Sequence, residues 1–211
     1  MPLTVVFVRH GESTANVDRV FANRLDNPAP LTPVGFAQAE SLVHVLGPFA
    51  ITHVYTSPLA RARQTAAVIA GAFGVTCTIV DAMREYDVGE FEDESYAGDD
   101  AWRWRRYEEV DRAWGEGNHL ACLAGGESLA DIETRFMPFM ESLAAGHLST
   151  DTLALAGHGG LYRAMLPKLF EDVSADYARS HQLGHGDVVI GEYDQSRWRC
   201  VQWANERFPH D

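Results

Sequence analysis

Residues 4–16 read Thr4-Val5-Val6-Phe7-Val8-Arg9-His10-Gly11-Glu12-Ser13-Thr14-Ala15-Asn16. Thr4 to Val8 are β-branched or aromatic and uncharged, the pattern of a strand buried on both faces. The run stops abruptly at Arg9-His10-Gly11-Glu12. Titratable groups therefore stand at the carboxyl end of a core strand, where open α/β sheets bind ligands. Gly11 permits a tight turn, and Glu12 to Asn16 can open a helix whose free N–H groups face an anion. An imidazole, a guanidinium and a helix start within a few residues suit a phosphoryl group.

A second junction of the same kind lies far along the chain. Thr152-Leu153-Ala154-Leu155-Ala156 reads as another short buried strand and ends in Gly157-His158-Gly159-Gly160. An apolar helical pattern follows, with Leu161, Ala164, Met165 and Leu166. Glycine lets backbone approach a ligand closely. The two histidines each end a strand and precede a helix, and the residues alone leave them interchangeable as nucleophile.

The 211 residues are 46 % hydrophobic, enough for a sizeable core. Cutting the chain between the two histidines would split the site, so residues 1–211 are expected to form one domain. Lys and Arg number 17 against 30 Asp and Glu, a formal net charge of −13. That balance disfavours nucleic acid and anionic membranes as partners. A local cationic pocket can still hold a phosphate, because near charges dominate over distant, screened ones. Cys77, Cys122 and Cys200 show no paired or C-x-x-C pattern, and Cys77 and Cys200 fall in strand-like runs that predict buried thiols. With neither a signal-peptide pattern nor an apolar run of membrane-spanning length, a cytoplasmic location is the default.

The remaining elements follow from local chemistry. Val17 to Leu31 carries loop residues and is a candidate pocket wall. Thr32-Pro33 reads as N-cap and first residue of a helix ending at Gly47-Pro48. Ile51 to Thr56 is a strand, Ser57-Pro58 repeats the cap-and-proline start of a helix to Phe73, and Val75 to Asp81 is a further strand. Ala101 to Gly117 interleaves Trp102, Trp104 and Trp114 with arginines. A helix packing its tryptophans on the body, its arginines paired with Glu108, Glu109 and Asp111, is the preferred reading over an aromatic, basic cap. Glu127 and Ser128 either face the site or start the next helix, which Pro138 should kink or break. Asp187 to Tyr193 and Trp198 to Trp203 read as strands joined by a turn at Asp194 to Arg197, with structural roles for His181 and His185. The expected fold is α/β: a three-layer sandwich with a mostly parallel central sheet, an antiparallel edge strand and helices on both faces.

Taken together, Arg9-His10-Gly11-Glu12 with Asn16, Ser57-Pro58-Leu59-Ala60-Arg61 with Gln64-Thr65-Ala66, Glu85, Gly126-Glu127-Ser128-Leu129 and Gly157-His158-Gly159 resemble the histidine phosphatase superfamily, also called the phosphoglycerate mutase-like family. The matches run in order from about Val5 to Gly160. The resemblance implies a catalytic set of His10, Glu85, His158, Arg9 and Arg61. Arg9, Asn16, Arg61, His158 and Gly159 would bind phosphate, and residues 90–125 would form a cap-like insertion. His10 becomes the nucleophile that forms a phosphohistidine, and Glu85 the proton donor. The family typically shows Gly-x-x-Glu-Gly after that Glu, but Asp93 replaces the final Gly here, which keeps neighbouring carboxylates open as the donor.

The implied activity is hydrolysis of small phosphorylated metabolites, with a phosphorylated substrate or inorganic phosphate as partner and no cofactor or metal. A mutase-type phosphotransferase and a non-catalytic phospholigand-binding regulator are the alternatives. The substrate is chosen by Val17 to Leu31 and Glu90 to Leu123, and the sequence carries no signal for oligomeric state.

Overall fold

The buried run near the N-terminus forms β1, Leu3–Arg9, in a computed structural model that describes residues 2–208. Then come α1 (Thr14–Asp18), α2 (Pro33–Leu46), β2 (Ile51–Thr56), α3 (Ala60–Phe73), β3 (Cys77–Ile79) and α4 (Ala101–Gly115). The second half holds α5 (Leu129–Gly146), β4 (Thr152–Gly157), α6 (Gly159–Leu169), α7 (Ala175–Ser180), β5 (Val188–Asp194), β6 (Arg197–Trp203) and β7 (Glu206–Arg207). The strands make one seven-stranded sheet in the order β3-β2-β4-β1-β5-β6-β7. The first four run parallel to one another, and β5 joins β1 antiparallel.

The antiparallel edge expected from the sequence is present as β5 and β6, and the short β7 extends it by one strand. The β5–β6 hairpin turns through Gln195 and Ser196, both at positive φ (49° and 67°). A two-residue turn of that hand matches strand twist, so the chain continues as a meander.

The alternation along β1 explains the layers. Leu3, Val5 and Phe7 pack with Ile132, Phe136 and Met140 of α5 and Leu161 and Met165 of α6. Val6 and Val8 point the other way, to Leu42 and Leu46 of α2 and Ile69 of α3. A strand covered on both faces needs apolar residues at every position. Each such side chain contributes about 1.5–3 kcal/mol on burial.

Local readings fail where tertiary position overrides them. Ser57 does not cap α3; Leu59 is its N-cap, and Ser57 Oγ instead accepts from the Leu59 N–H at 3.2 Å. The run at 75–81 yields only the three residues of β3, all exposed at the sheet edge. Cys77 is accordingly exposed, contrary to expectation, while Cys200 is buried. Pro138 lies within an unbroken α5. It sits on the exposed face, where the carbonyl left without its helical donor can face water.

The loop after β1 crosses α2 with almost no clearance. A Cβ on Gly35 would lie 2.0 Å from the Glu12 carbonyl oxygen, and one on Gly11 2.3 Å from that of Gly35. Alanine favours a helix over glycine by about 1 kcal/mol, but here the obstacle is backbone on both sides. Gly35→Ala is therefore expected to destabilise by about 2–3 kcal/mol net. The midpoint of chemical denaturation measures this; an unchanged or raised midpoint would refute the close packing.

Candidate active site

Parallel pairing brings the two histidines together. β1 and β4 are in register through Arg9↔Gly157, and the next residue in each strand is a histidine. The rings of His10 and His158 lie 5.1 Å apart between centroids. β2 flanks β4 with Thr56↔Ala156, so Ser57 follows at the same edge. Its Oγ lies 2.7 Å from His158 Nε2. Three neighbouring strands thus deliver His10, His158 and Ser57 from their carboxyl ends.

His10 is held through both ring nitrogens. Its Nδ1 lies 2.6 Å from the Gly11 carbonyl oxygen, and Arg61 Nε donates to its Nε2 at 3.1 Å. A carbonyl can only accept, so Nδ1 carries the proton and Nε2 the lone pair. Arg61, second residue of α3, also donates to the Ala22 carbonyl (2.6 Å) and to Asn23 Oδ1 (3.2 Å). Four residues on, Thr65 Oγ1 donates to the Arg61 carbonyl (2.9 Å) and accepts from the Gly11 N–H (3.2 Å). That hydroxyl ties the arginine helix to the histidine loop. Gln64 accepts from the Leu31 N–H at 2.7 Å and pins the far end of the wall loop.

The other sequence candidates reach the same cavity, of about 140 Å³, which Arg9, His10, Asn16, Arg61, Glu85 and Gly159 help to line. Glu85 accepts from the Gly160 N–H (2.9 Å) at the start of α6 and from the Tyr86 N–H (3.2 Å). Asn16 Oδ1 accepts from the Ser13 N–H and hydroxyl, closing the first turn of α1. Arg9 donates to the Leu183 carbonyl and, at 3.0 Å, to His185 Nε2. Arg9 Nε and His158 Nδ1 are buried with no hydrogen-bond partner among the described residues. Buried polar atoms are nearly always paired, so each keeps a hydrogen-bonding site open, Arg9 on the cavity wall and His158 beside His10.

The electrostatics favour the same chemistry. Burial, then Arg61 and Arg9, hold His10 well below the ordinary imidazole pKa, so it is neutral near pH 7. Burial, Arg61 and His10 do the same to His158. His158 is therefore neutral in the free site, and a nearby dianion would push its pKa upward. Burial brings Arg61 down to about 10, still cationic. Burial raises Glu85 against the opposing pull of Arg61 and the two backbone donors. An elevated carboxyl pKa suits a proton donor.

Other residues at the site carry no motif. His185, expected to be structural, stands 5.9 Å from His10, and burial and Arg9 lower it to about 4. Asn23 bridges Arg61 to the Tyr86 carbonyl. Helix α4 fits parts of both readings of its sequence: Trp114 is buried, whereas Trp104 and Tyr107 line the cavity. Arg106 pairs with Glu109, but Asp111 pairs with Arg163 of α6, not with an arginine of its own helix.

Among the neighbouring carboxylates, Glu92 accepts from the Asn23 and Val88 N–H groups and Asp87 pairs with Arg24. Asp93, standing where the family pattern has a glycine, takes the left-handed conformation (φ 64°), with Asn27 Nδ2 2.6 Å from its Oδ1. Glu127 pairs with Arg84 and Arg135, and Ser128 caps α5. Among the described residues, no helix is long and apolar enough to cross a membrane.

Comparison with known proteins adds relatives of the same architecture. A family profile for the histidine phosphatase superfamily (branch 1) matches residues 5–206. A Yersinia pestis (strain Pestoides F) protein named "Probable phosphoglycerate mutase GpmB" is 28 % identical over 208 residues, covering 97 % of this chain and 91 % of its own. The structure of a mycobacterial glucosyl-3-phosphoglycerate phosphatase with VO3 superposes with a TM-score of 0.81 and 25 % identity, covering 97 % of this chain and all of that one. That phosphatase also has a structure with inorganic phosphate. A protein called mycobacterial hydrolase 1 shares the fold, with a TM-score of 0.82, 24 % identity, and coverage of 97 % of this chain and 99 % of its own.

Proposed function

The chain belongs to the histidine phosphatase superfamily, branch 1, and we propose that within it the protein is a phosphomonoesterase working through a phosphohistidine on His10. The observation that carries this reading is the neutral His10 ring, its Nδ1 proton fixed on the Gly11 carbonyl and its Nε2 lone pair held by Arg61.

In the proposed first step the Nε2 lone pair attacks phosphorus and the ester P–O bond breaks. Glu85 gives its proton to the leaving alkoxide. The Arg61 N–H releases the lone pair and donates its hydrogen bond to a phosphoryl oxygen instead, beside donors from Arg9, His158 and the Asn16 amide. In the second step water attacks phosphorus, its proton passes to Glu85, and the P–N bond breaks to release phosphate. The guanidinium groups act by neutralising the dianion, which otherwise repels a nucleophile. Side chains supply every group this scheme uses, so it calls for no cofactor.

The rival is a phosphotransferase that returns the phosphoryl group to a bound intermediate, a reading favoured by the name of the Yersinia relative. Phosphorus NMR of incubations with an aryl phosphate and with 3-phosphoglycerate separates the two. Inorganic phosphate is the expected product. Conversion of 3-phosphoglycerate to its 2-isomer without phosphate release would establish the mutase instead. Phosphate binding with no turnover of either ester would leave a regulator.

A further inference from the structure

We infer that the alcohol half of the substrate is an uncharged ring held by stacking on an aromatic wall around Trp104, and that esters bearing a carboxylate are disfavoured. The inference rests on the phosphomonoesterase reading only for where the phosphoryl group sits.

The wall is built from two distant segments. Phe21 comes from the loop after α1, Tyr96 precedes α4, and Trp104 and Tyr107 lie on α4; all four line the cavity that holds His10 and Arg61. Tyr96 and Tyr107 each lie 5.0 Å from Trp104, and Phe21 lies 4.8 Å from Tyr96. Such contacts fix the rings before any ligand arrives. Two of their polar handles are committed elsewhere. The Trp104 indole N–H donates along its own helix to Glu108 (2.9 Å), and the Tyr107 hydroxyl accepts from Arg163 Nη2 (3.1 Å). Trp104 is only partly buried, so packing α4 to the body does not use its whole surface.

Charge inside the cavity points the same way. Arg9 and Arg61 stand at the histidine end, matched to one phosphoryl group. The third guanidinium, Arg163, already has its counter-charge: its Nε lies 3.1 Å from Asp111 Oδ1, and both side chains are largely buried. A second anion on the substrate would have to compete with Asp111, a poor exchange because a desolvated pair is costly to split. Arg19 and Arg105 make no ion pair among the described residues, but they are exposed in an outer groove beyond Tyr96 and Trp104. Solvent and salt screen charges there.

Non-hydrolysable phosphonates test the inference without turnover, so its outcome is separate from whether phosphate is ever released. Benzylphosphonate and 3-phosphonopropionate share the phosphonate and differ in ring against carboxylate. Calorimetric titration of the full chain is expected to give about tenfold tighter binding of benzylphosphonate. Trp104→Ala should bring the ratio to within about threefold. Asp111→Asn, which leaves Arg163 without its counter-charge, should tighten 3-phosphonopropionate severalfold relative to benzylphosphonate, and it keeps the test open if the tryptophan variant folds poorly. Equal or tighter binding of 3-phosphonopropionate by the unaltered protein would overturn the inference and implicate Arg19 and Arg105. So would a ratio that neither substitution moves.

Discussion

His10→Ala should lower phosphate release from an aryl phosphate by about a thousandfold or more, because the reaction loses its nucleophile and not merely one stabilising contact. An aryl leaving group needs little help from an acid, so the loss isolates the attack on phosphorus. Phosphate binding should survive in weakened form, since Arg9, Arg61 and His158 remain. Folding must be checked separately: the Gly11 carbonyl loses a donor and Arg61 Nε an acceptor, at about 1–3 kcal/mol if left unpaired. A pH series of melts supplies an internal control. The native state depresses the pKa of His10, so the unfolded chain takes up its proton first. The stability from this group is full above the ordinary imidazole pKa, about 6.5, and erodes as pH falls below it. The variant should lose less stability over that interval than the parent. A folded variant with parental turnover would remove His10 from the chemistry.

How much of this could be read from the chain alone depends on whether the signal was local. The two strand ends could, because a strand buried on both faces leaves an uninterrupted apolar run and a parallel sheet gathers its ligands at one edge. Thr32-Pro33 could as well, since cap chemistry is local and α2 begins there with Thr32 Oγ1 accepting from the Gly35 N–H. The same local rule misreads Ser57-Pro58, where a hydroxyl suited to capping is engaged by His158, 101 residues away. Cys77 shows the same limit: its flanking residues suit a strand, but only sheet order makes that strand an edge. Arg61 and Glu85 sit in stretches whose periodicity says nothing of a site; the family resemblance singles them out. Asn23 and His185 have neither signal, for they lie in loops and their partners, Arg61 and Arg9, are far away in sequence. Asp93 could have been suspected, since aspartate tolerates the left-handed conformation better than most residues.

Glu85→Gln should split the two halves of the reaction. With an alkyl phosphate the leaving alkoxide needs a proton, and the rate should fall about 10²–10⁴-fold. With an activated aryl phosphate the first step persists while the second, which needs a base for water, slows. The expected record is a burst of phenol equal to the enzyme present, followed by a slow steady rate. Burial raises the pKa of Glu85, so the parent should stay active above the ordinary carboxyl range and decline as pH rises through the elevated value. The variant has no proton to lose there, and its decline should vanish.

Stability separates this from misfolding. A raised carboxyl pKa means the native state holds the proton more tightly than the unfolded chain, so this group's stabilising contribution drains away as pH rises from the ordinary carboxyl value to the raised one. Glutamine removes that loss but leaves the N–H of Gly160 or Tyr86 without its acceptor. The two effects oppose each other, and the melting temperature near neutrality should move by only a few degrees. Equal losses on alkyl and aryl esters, with no burst, would assign proton transfer to another group and leave Glu85 as a buried brace for the start of α6.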